Sequence, residues 1–146
     1  MNVDRKQMES ELKKHCVPFL KERGFKGSFQ NMYREIDGFV SLVNFQFFSS
    51  GGSFCINLSF ADTSRNNVYF EKETEVKKLK VSQTKEQVRL GSENLKGDHW
   101  FSFGKTSYGE YRGKPIPPQE LAETINKLFE SQAEPWWAKK YEQTKS

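Results

Sequence analysis

Apolar residues recur at helical spacing at Met8, Leu12, Cys16, Phe19 and Leu20, and the run closes at Gly24. This predicts an amphipathic first helix with one buried stripe, opened by Asp4 and Gln7 as a capping pair. Pro18 falls inside it and has no N–H for the carbonyl of Lys14, so a kink or break is expected there. From Phe29 the period changes to two. Asp37-Gly38, a dipeptide favoured in two-residue hairpin turns, separates the run Phe29 to Ile36 from Phe39 to Phe48. Ser49 to Gly52 forms a second turn, and Ser53 to Phe60 then alternates strictly. The pattern predicts a three-stranded antiparallel meander over residues 28–60.

These loop lengths set the pairing, and facing side chains share a side of the sheet. Met32, Val43 and Leu58 then form one apolar row, Gln30, Phe45 and Ile56 the next, with Phe47 opposite Phe54 beyond. This is the expected core face, covered by the first helix. The opposite face carries Asn31, Asn44 and Asn57 in a row, flanked by Phe29, Gln46 and Cys55 on one side and by Tyr33, Leu42 and Ser59 on the other.

Beyond residue 60, Val68-Tyr69-Phe70 and Val88-Arg89-Leu90 read as short strands, and Glu71 to Val81 as either a strand or a charged helix. Asp98 to Phe103 alternates again, with Trp100 expected in the core and Asp98 capping the turn before it. After Pro115, Pro117 and Pro118, Leu121, Ile125, Leu128 and Phe129 mark a helix face over Gln119 to Ser131, and the tail with Trp136 and Trp137 reads as one more short helix. The fold class is α+β: an N-terminal helix on an antiparallel meander sheet of about four to six strands, with a C-terminal helix, all in one domain spanning residues 1–146.

Composition narrows the function classes. Apolar residues are only 35% of the chain, but thirteen Phe, five Tyr and three Trp supply large buried areas per core position. No run approaches the roughly 18 apolar residues of a membrane span, and the N-terminus lacks a signal-peptide core, so a cytoplasmic protein is expected. Cys16 and Cys55 are too few for a disulfide framework or a zinc site and read as reduced, packed thiols. No cofactor is implied. The net charge is +4, and residues 1–28 hold seven Lys/Arg against four Asp/Glu. Elsewhere charges alternate, as in Glu71 to Lys80, whereas a nucleic-acid footprint is normally a denser stripe. Lys26-Gly27-Ser28-Phe29 also fails the basic-Gly-aromatic consensus of an RNA-recognition sheet.

Candidate chemistry is sparse. Phe103-Gly104-Lys105-Thr106 ends like a phosphate-binding loop, but His99 stands where the loop requires glycine, leaving a surface turn. His15 and Cys16 are adjacent on a helix and do not face each other. Asp98-His99 beside Trp100 pairs a carboxylate with an imidazole, yet neighbouring strand residues point to opposite faces. The amide row is the stronger signal, because Asn is a poor strand former and three at one level of a sheet require hydrogen-bond partners. A recognition surface uses such amides for directional bonds and Phe29 and Tyr33 for apolar contact, whereas a solvated or internally bonded sheet face would need no ligand. The candidate binding residues are therefore Phe29, Asn31, Tyr33, Asn44, Gln46 and Asn57, joined by Asp98, His99 and Trp100. No catalytic or metal-ligand role is assigned.

Several segments taken in order resemble a bacterial family catalogued as domain of unknown function 4304. They are Phe19-Leu20-Lys21, Gly24-Phe25-Lys26, Tyr33-Arg34, Val43-Asn44-Phe45-Gln46, Phe54-Cys55-Ile56-Asn57-Leu58, Arg89-Leu90-Gly91 and Asp98-His99-Trp100, and the similarity covers about residues 8–103. Phe101 stands where the family pattern often has a second tryptophan. The resemblance implies a compact α+β domain of cytosolic proteins and supplies no activity, cofactor or catalytic residue. By fold-level analogy alone, small domains of this kind include immunity proteins.

The expected function is a non-enzymatic binding module for a protein partner, docking on the amide-aromatic face or the aromatic C-terminal tail. The alternatives are a hydrolase-like enzyme using Asp98 and His99, and nucleic-acid binding through the basic first helix. The pattern leaves monomer and homodimer equally open.

Overall fold

The computed structural model describes residues 3–63 and 76–145. Helix α1 (Arg5–Glu22) is followed by strands β1 (Lys26–Ser28), β2 (Asn31–Ile36), β3 (Phe39–Phe47), β4 (Ser53–Asp62), β5 (Gln87–Arg89) and β6 (Phe101–Ser102), then helices α2 (Pro118–Leu128) and α3 (Glu134–Lys145). The strands form one antiparallel sheet in the order β1-β2-β3-β4-β5, and β6 pairs with β4 at Ser53 and Phe54. This is the expected α+β architecture.

Asp4 and Gln7 exchange side-chain and backbone bonds as a capping box, satisfying donors that a helix start leaves open. Met8, Leu12, Cys16 and Leu20 are all buried, and side chains of this size each stabilise by about 1.5–3 kcal/mol when burial is complete. The expected break at Pro18 does not occur, since α1 is continuous through it. Pro18 lies on the exposed side, so water can bond the carbonyl it leaves unpaired.

Asp37 and Gly38 both have positive φ, 52° and 80°, as the favoured two-residue hairpin turn demands. The turn sets the register Met32↔Val43 and Asn31↔Asn44, and β4 extends it through Leu58 and Asn57. The apolar face packs against α1, α2 and α3 in one core that includes Phe45, Ile56, Leu121, Ile125 and Trp137.

The run from Phe29 is not a single strand. The chain turns at Phe29 and Gln30, and β1 pairs back on β2. Gly27 makes this possible, with φ +95° and a position where a Cβ would lie 2.9 Å from the carbonyl oxygen of Asn31. The turn takes Phe29 out of the pleat, so its ring packs on the core side, 5.0 Å from Phe45, and leaves the amide face. Gln30 still meets β3 through its carbonyl, which accepts from the Phe45 N–H.

Val68-Tyr69-Phe70 and residues 71–75 lie outside the described residues. The rest of the 71–81 segment is neither strand nor α-helix but short 3-10 turns, Val76–Lys78 and Val81–Gln83. Leu79 and Val81 cover Val40, Leu42 and Ala61 on the second sheet face, making a small separate core there. The expected strand at 98–103 contracts to Phe101–Ser102, and Phe101 and Phe103, not Trp100, enter the main core. Trp100 stays half-buried because its indole N–H is held outside by Asp98. At the C-terminus, α2 passes through a wider π turn, Phe129–Ala133, directly into α3. That turn precedes Pro135, whose ring would clash with a regular preceding turn. Among the described residues no helix is long and apolar enough to cross a membrane.

Candidate functional site

Strands β2, β3 and β4 place Asn31, Asn44 and Asn57 at one level, and their side chains bond in series. Asn57 Nδ2 donates to Asn44 Oδ1 at 3.0 Å, and Asn44 Nδ2 donates to Asn31 Oδ1 at 2.9 Å. Asn57 Nδ2 also donates to Gln46 Oε1 at 2.9 Å. The series begins at Arg89 on β5, the strand partner of Asn57, whose Nε donates to Asn57 Oδ1 at 2.8 Å. An arginine has no acceptor, so it fixes which end of the Asn57 amide faces it, and each further amide follows in the same sense.

Arg89 also joins the row to the Asp98 segment. Its guanidinium pairs with Asp98 and lies 5.1 Å from the centre of the Trp100 ring. Asp98 Oδ2 in turn accepts from the Trp100 indole N–H at 3.2 Å. A second guanidinium, that of Arg112, lies 4.8 Å from Trp100 and 3.9 Å from Phe48, and Phe48 meets Trp100 edge-on at 5.7 Å. Cys55, between Gln46 and Asn57, is buried, and burial pushes its thiol pKa up against the opposing pull of Arg89. Burial also pushes Cys16, at the seam of α1 and α2, up to about 12. Neither thiol has the thiolate character of a nucleophile.

The structure therefore brings together Asn31, Asn44, Gln46, Asn57, Asp98 and Trp100. It separates two expected residues, Phe29 and His99, from them. Phe29 lies on the core side, whereas Tyr33 stays on the amide face opposite Leu42, packed against the small second core there. His99 turns away from the Asp98 carboxylate, which accepts only its backbone N–H, and its ring packs edge-on against Phe101 at 4.7 Å. Burial lowers the His99 imidazole pKa, with Asp98 opposing. The segment at Gly104 is a closed turn, tied through the N–H groups of Phe103 and Gly104 to the carbonyl of Gly52. Among the described residues no three His, Cys, Asp or Glu side chains converge as metal ligands.

Arg89, Phe48 and Arg112 were not among the expected site residues. The alternation in Val88-Arg89-Leu90 puts Arg89 on one face, but residues 61–86 hide which strand it pairs with. Arg112, on an irregular loop, leaves no periodic signal. In the aromatic C-terminal tail, Trp137 is buried and donates its indole N–H to the Ser59 carbonyl at 2.9 Å.

In comparisons with known proteins, the model of a family described as "Domain of unknown function (DUF4304)" matches residues 16–139. No curated protein and no solved structure matches the chain.

Proposed function

The chain belongs to the DUF4304 family, a domain family with no assigned activity, and from that premise we propose that it is a non-enzymatic binding module that docks a protein partner at the Trp100 end of the amide face. The observation that carries this reading is the mounting of Trp100. The guanidinium groups of Arg89 and Arg112 lie 5.1 and 4.8 Å from the centre of its half-buried ring, with Phe48 meeting it edge-on and Asp98 holding its indole N–H. Trp, Tyr and Arg dominate the residues that anchor protein interfaces, and a side chain already held in place loses little freedom on binding. The same loop exposes Tyr108 at 79% and Tyr111 at 52%, adding rigid contact area beside Arg112.

A hydrolase reading has less support, because the Asp98 carboxylate engages Arg89 and Trp100 while the His99 ring faces Phe101. So does nucleic-acid binding through α1, where Arg5 pairs with Glu9 and the Lys13 ammonium lies over Phe29. The free thiols of Cys16 and Cys55 favour a reducing, cytoplasmic setting.

The test starts with a photo-crosslinking residue at Tyr108 in host cells, followed by calorimetry on the purified pair. Trp100→Ala should weaken binding by about thirtyfold, or ~2 kcal/mol, while Asn31→Ala changes it less than about twofold. Equal affinity of wild type and Trp100→Ala would remove this patch as the docking site.

A further inference from the structure

The amide row runs along a cavity of about 290 Å³, lined by Asn31, Asn44, Gln46, Asn57, Lys80 and Gln87 among others. What these groups show to the cavity follows from the direction of the row. Each amide has two N–H donors and one carbonyl oxygen. Asn57 uses its donors on Asn44 and Gln46, and its oxygen receives Arg89. The oxygens of Asn44, Asn31 and Gln46 are likewise taken up inside the row. One N–H of Asn44 remains, and the NH₂ groups of Asn31 and Gln46 have no acceptor among the described residues. The NH₂ of Gln87 is held by the carbonyls of Val81 and Thr84. Lys80, an exposed cation, is among the lining residues, and no carboxylate lines the cavity among the described residues.

We propose that this cavity binds a small oxyanion, a phosphate or carboxylate group, through the side-chain N–H groups of Asn31, Asn44 and Gln46 and the ammonium of Lys80. An oxyanion is acceptor-only, the complement of a wall whose oxygens are already bonded. Arg89 fixes the amides beforehand, so they need not turn over to receive the charge. The volume lies at the lower limit of pockets for drug-sized ligands, roughly 300–1,000 Å³, and suits one compact anionic group. Neither Trp100 nor Arg89 lines this cavity, and the site does not depend on the protein-docking reading.

Side-chain amide resonances of the ¹⁵N-labelled full chain report it directly. The protein is titrated with inorganic phosphate, with sodium acetate, and with sodium chloride at matched ionic strength. Saturable shifts at Asn31, Asn44 and Gln46 with phosphate alone identify a phosphoryl ligand, with acetate alone a carboxylate, and with both the shared oxyanion chemistry. Lys80→Met and Asn31→Ala, with backbone spectra unchanged, should each raise the dissociation constant at least tenfold, whereas Trp100→Ala leaves it within twofold. Shifts that grow linearly and equally with chloride, or an affinity that both cavity variants retain, would overturn the proposal.

Discussion

Asn57 is the branch point of the amide row, and its position there makes it structural as well as polar. It is 9% exposed, donates twice and accepts from Arg89. Replacing it with Leu would strand the oxygen of Asn44 and the Nε of Arg89 on a partly buried face, where each orphaned group costs about 1–3 kcal/mol, while the oxygen of the exposed Gln46 can turn to water. Asn31 ends the row, and its removal strands only one donor of Asn44, which the cavity leaves open to water. Urea unfolding should therefore show Asn57→Leu destabilised by at least ~2 kcal/mol and Asn31→Ala by less than ~1 kcal/mol. Equal losses would mean that the row is not bonded in this sequence. His99 supplies a pH effect at the same scale. Burial lowers its imidazole pKa below the ordinary 6.5, so in the window just under that value the unfolded chain holds the extra proton and the folded chain does not. The stabilisation from a neutral His99 is complete above about pH 6.5 and is lost as the pH falls toward the folded pKa. The urea midpoint of the wild type should fall more between pH 7 and pH 5.5 than that of His99→Gln, and parallel falls would contradict the assignment.

At the scale of elements, α1 carries a proline that its fold does not need. Pro18 is exposed and the helix is continuous around it, so Ala at that position loses no buried contact and restores an N–H for the Lys14 carbonyl. Interior proline costs a helix about 3 kcal/mol, and relief of even a third of this should raise Tm by a few degrees in a scanning calorimeter. A lower Tm would show that Pro18 fits a local distortion that Ala cannot. The contrast between α1 and the sheet shows what the sequence makes legible. Period-two alternation bounded by Asp37-Gly38 suffices to align Asn31, Asn44 and Asn57, because one tight turn sets every later pair. The alternation does not reveal that Phe29 and Gln30 form a turn, since an aromatic before a strand looks the same whether it extends the strand or caps it. Nor does it locate Arg89 against Asn57, a pairing made across a long connection, or bring Arg112 to Trp100 from an irregular loop. The amides were visible because they are local to a hairpin; the cations that orient them and flank Trp100 were not, because they arrive by tertiary packing.

At the scale of the molecule, α3 determines whether the chain behaves as one cooperative unit. Trp137 donates its indole N–H to the Ser59 carbonyl on β4, and its ring lies 5.4 Å from Phe25, between α1 and β1. Arg34 on β2 pairs with Glu134 through both carboxylate oxygens and places its guanidinium 4.6 Å over Phe25. Further along α3, Tyr141 donates to the Asp37 carboxylate at 3.0 Å and Lys145 to the Asp37 carbonyl at 2.6 Å, fastening the helix to the hairpin turn that sets the sheet register. The last helix thus bonds to strands β2 and β4 and to the β2–β3 turn, so its loss should be felt throughout the sheet. Trp137→Phe keeps a ring in the core but removes the indole bond to the Ser59 carbonyl, a cost of about 0.5–1.5 kcal/mol, while Trp137→Ala also opens a cavity and should cost about 3–5 kcal/mol. Both variants should unfold in a single transition, with far-ultraviolet circular dichroism and Trp fluorescence tracing the same urea curve. If Trp137→Ala instead lost helical signal at low urea while the sheet and the Trp100 site persisted, α3 would be a separable cover, and the amide face would owe its geometry to the meander and β5 alone.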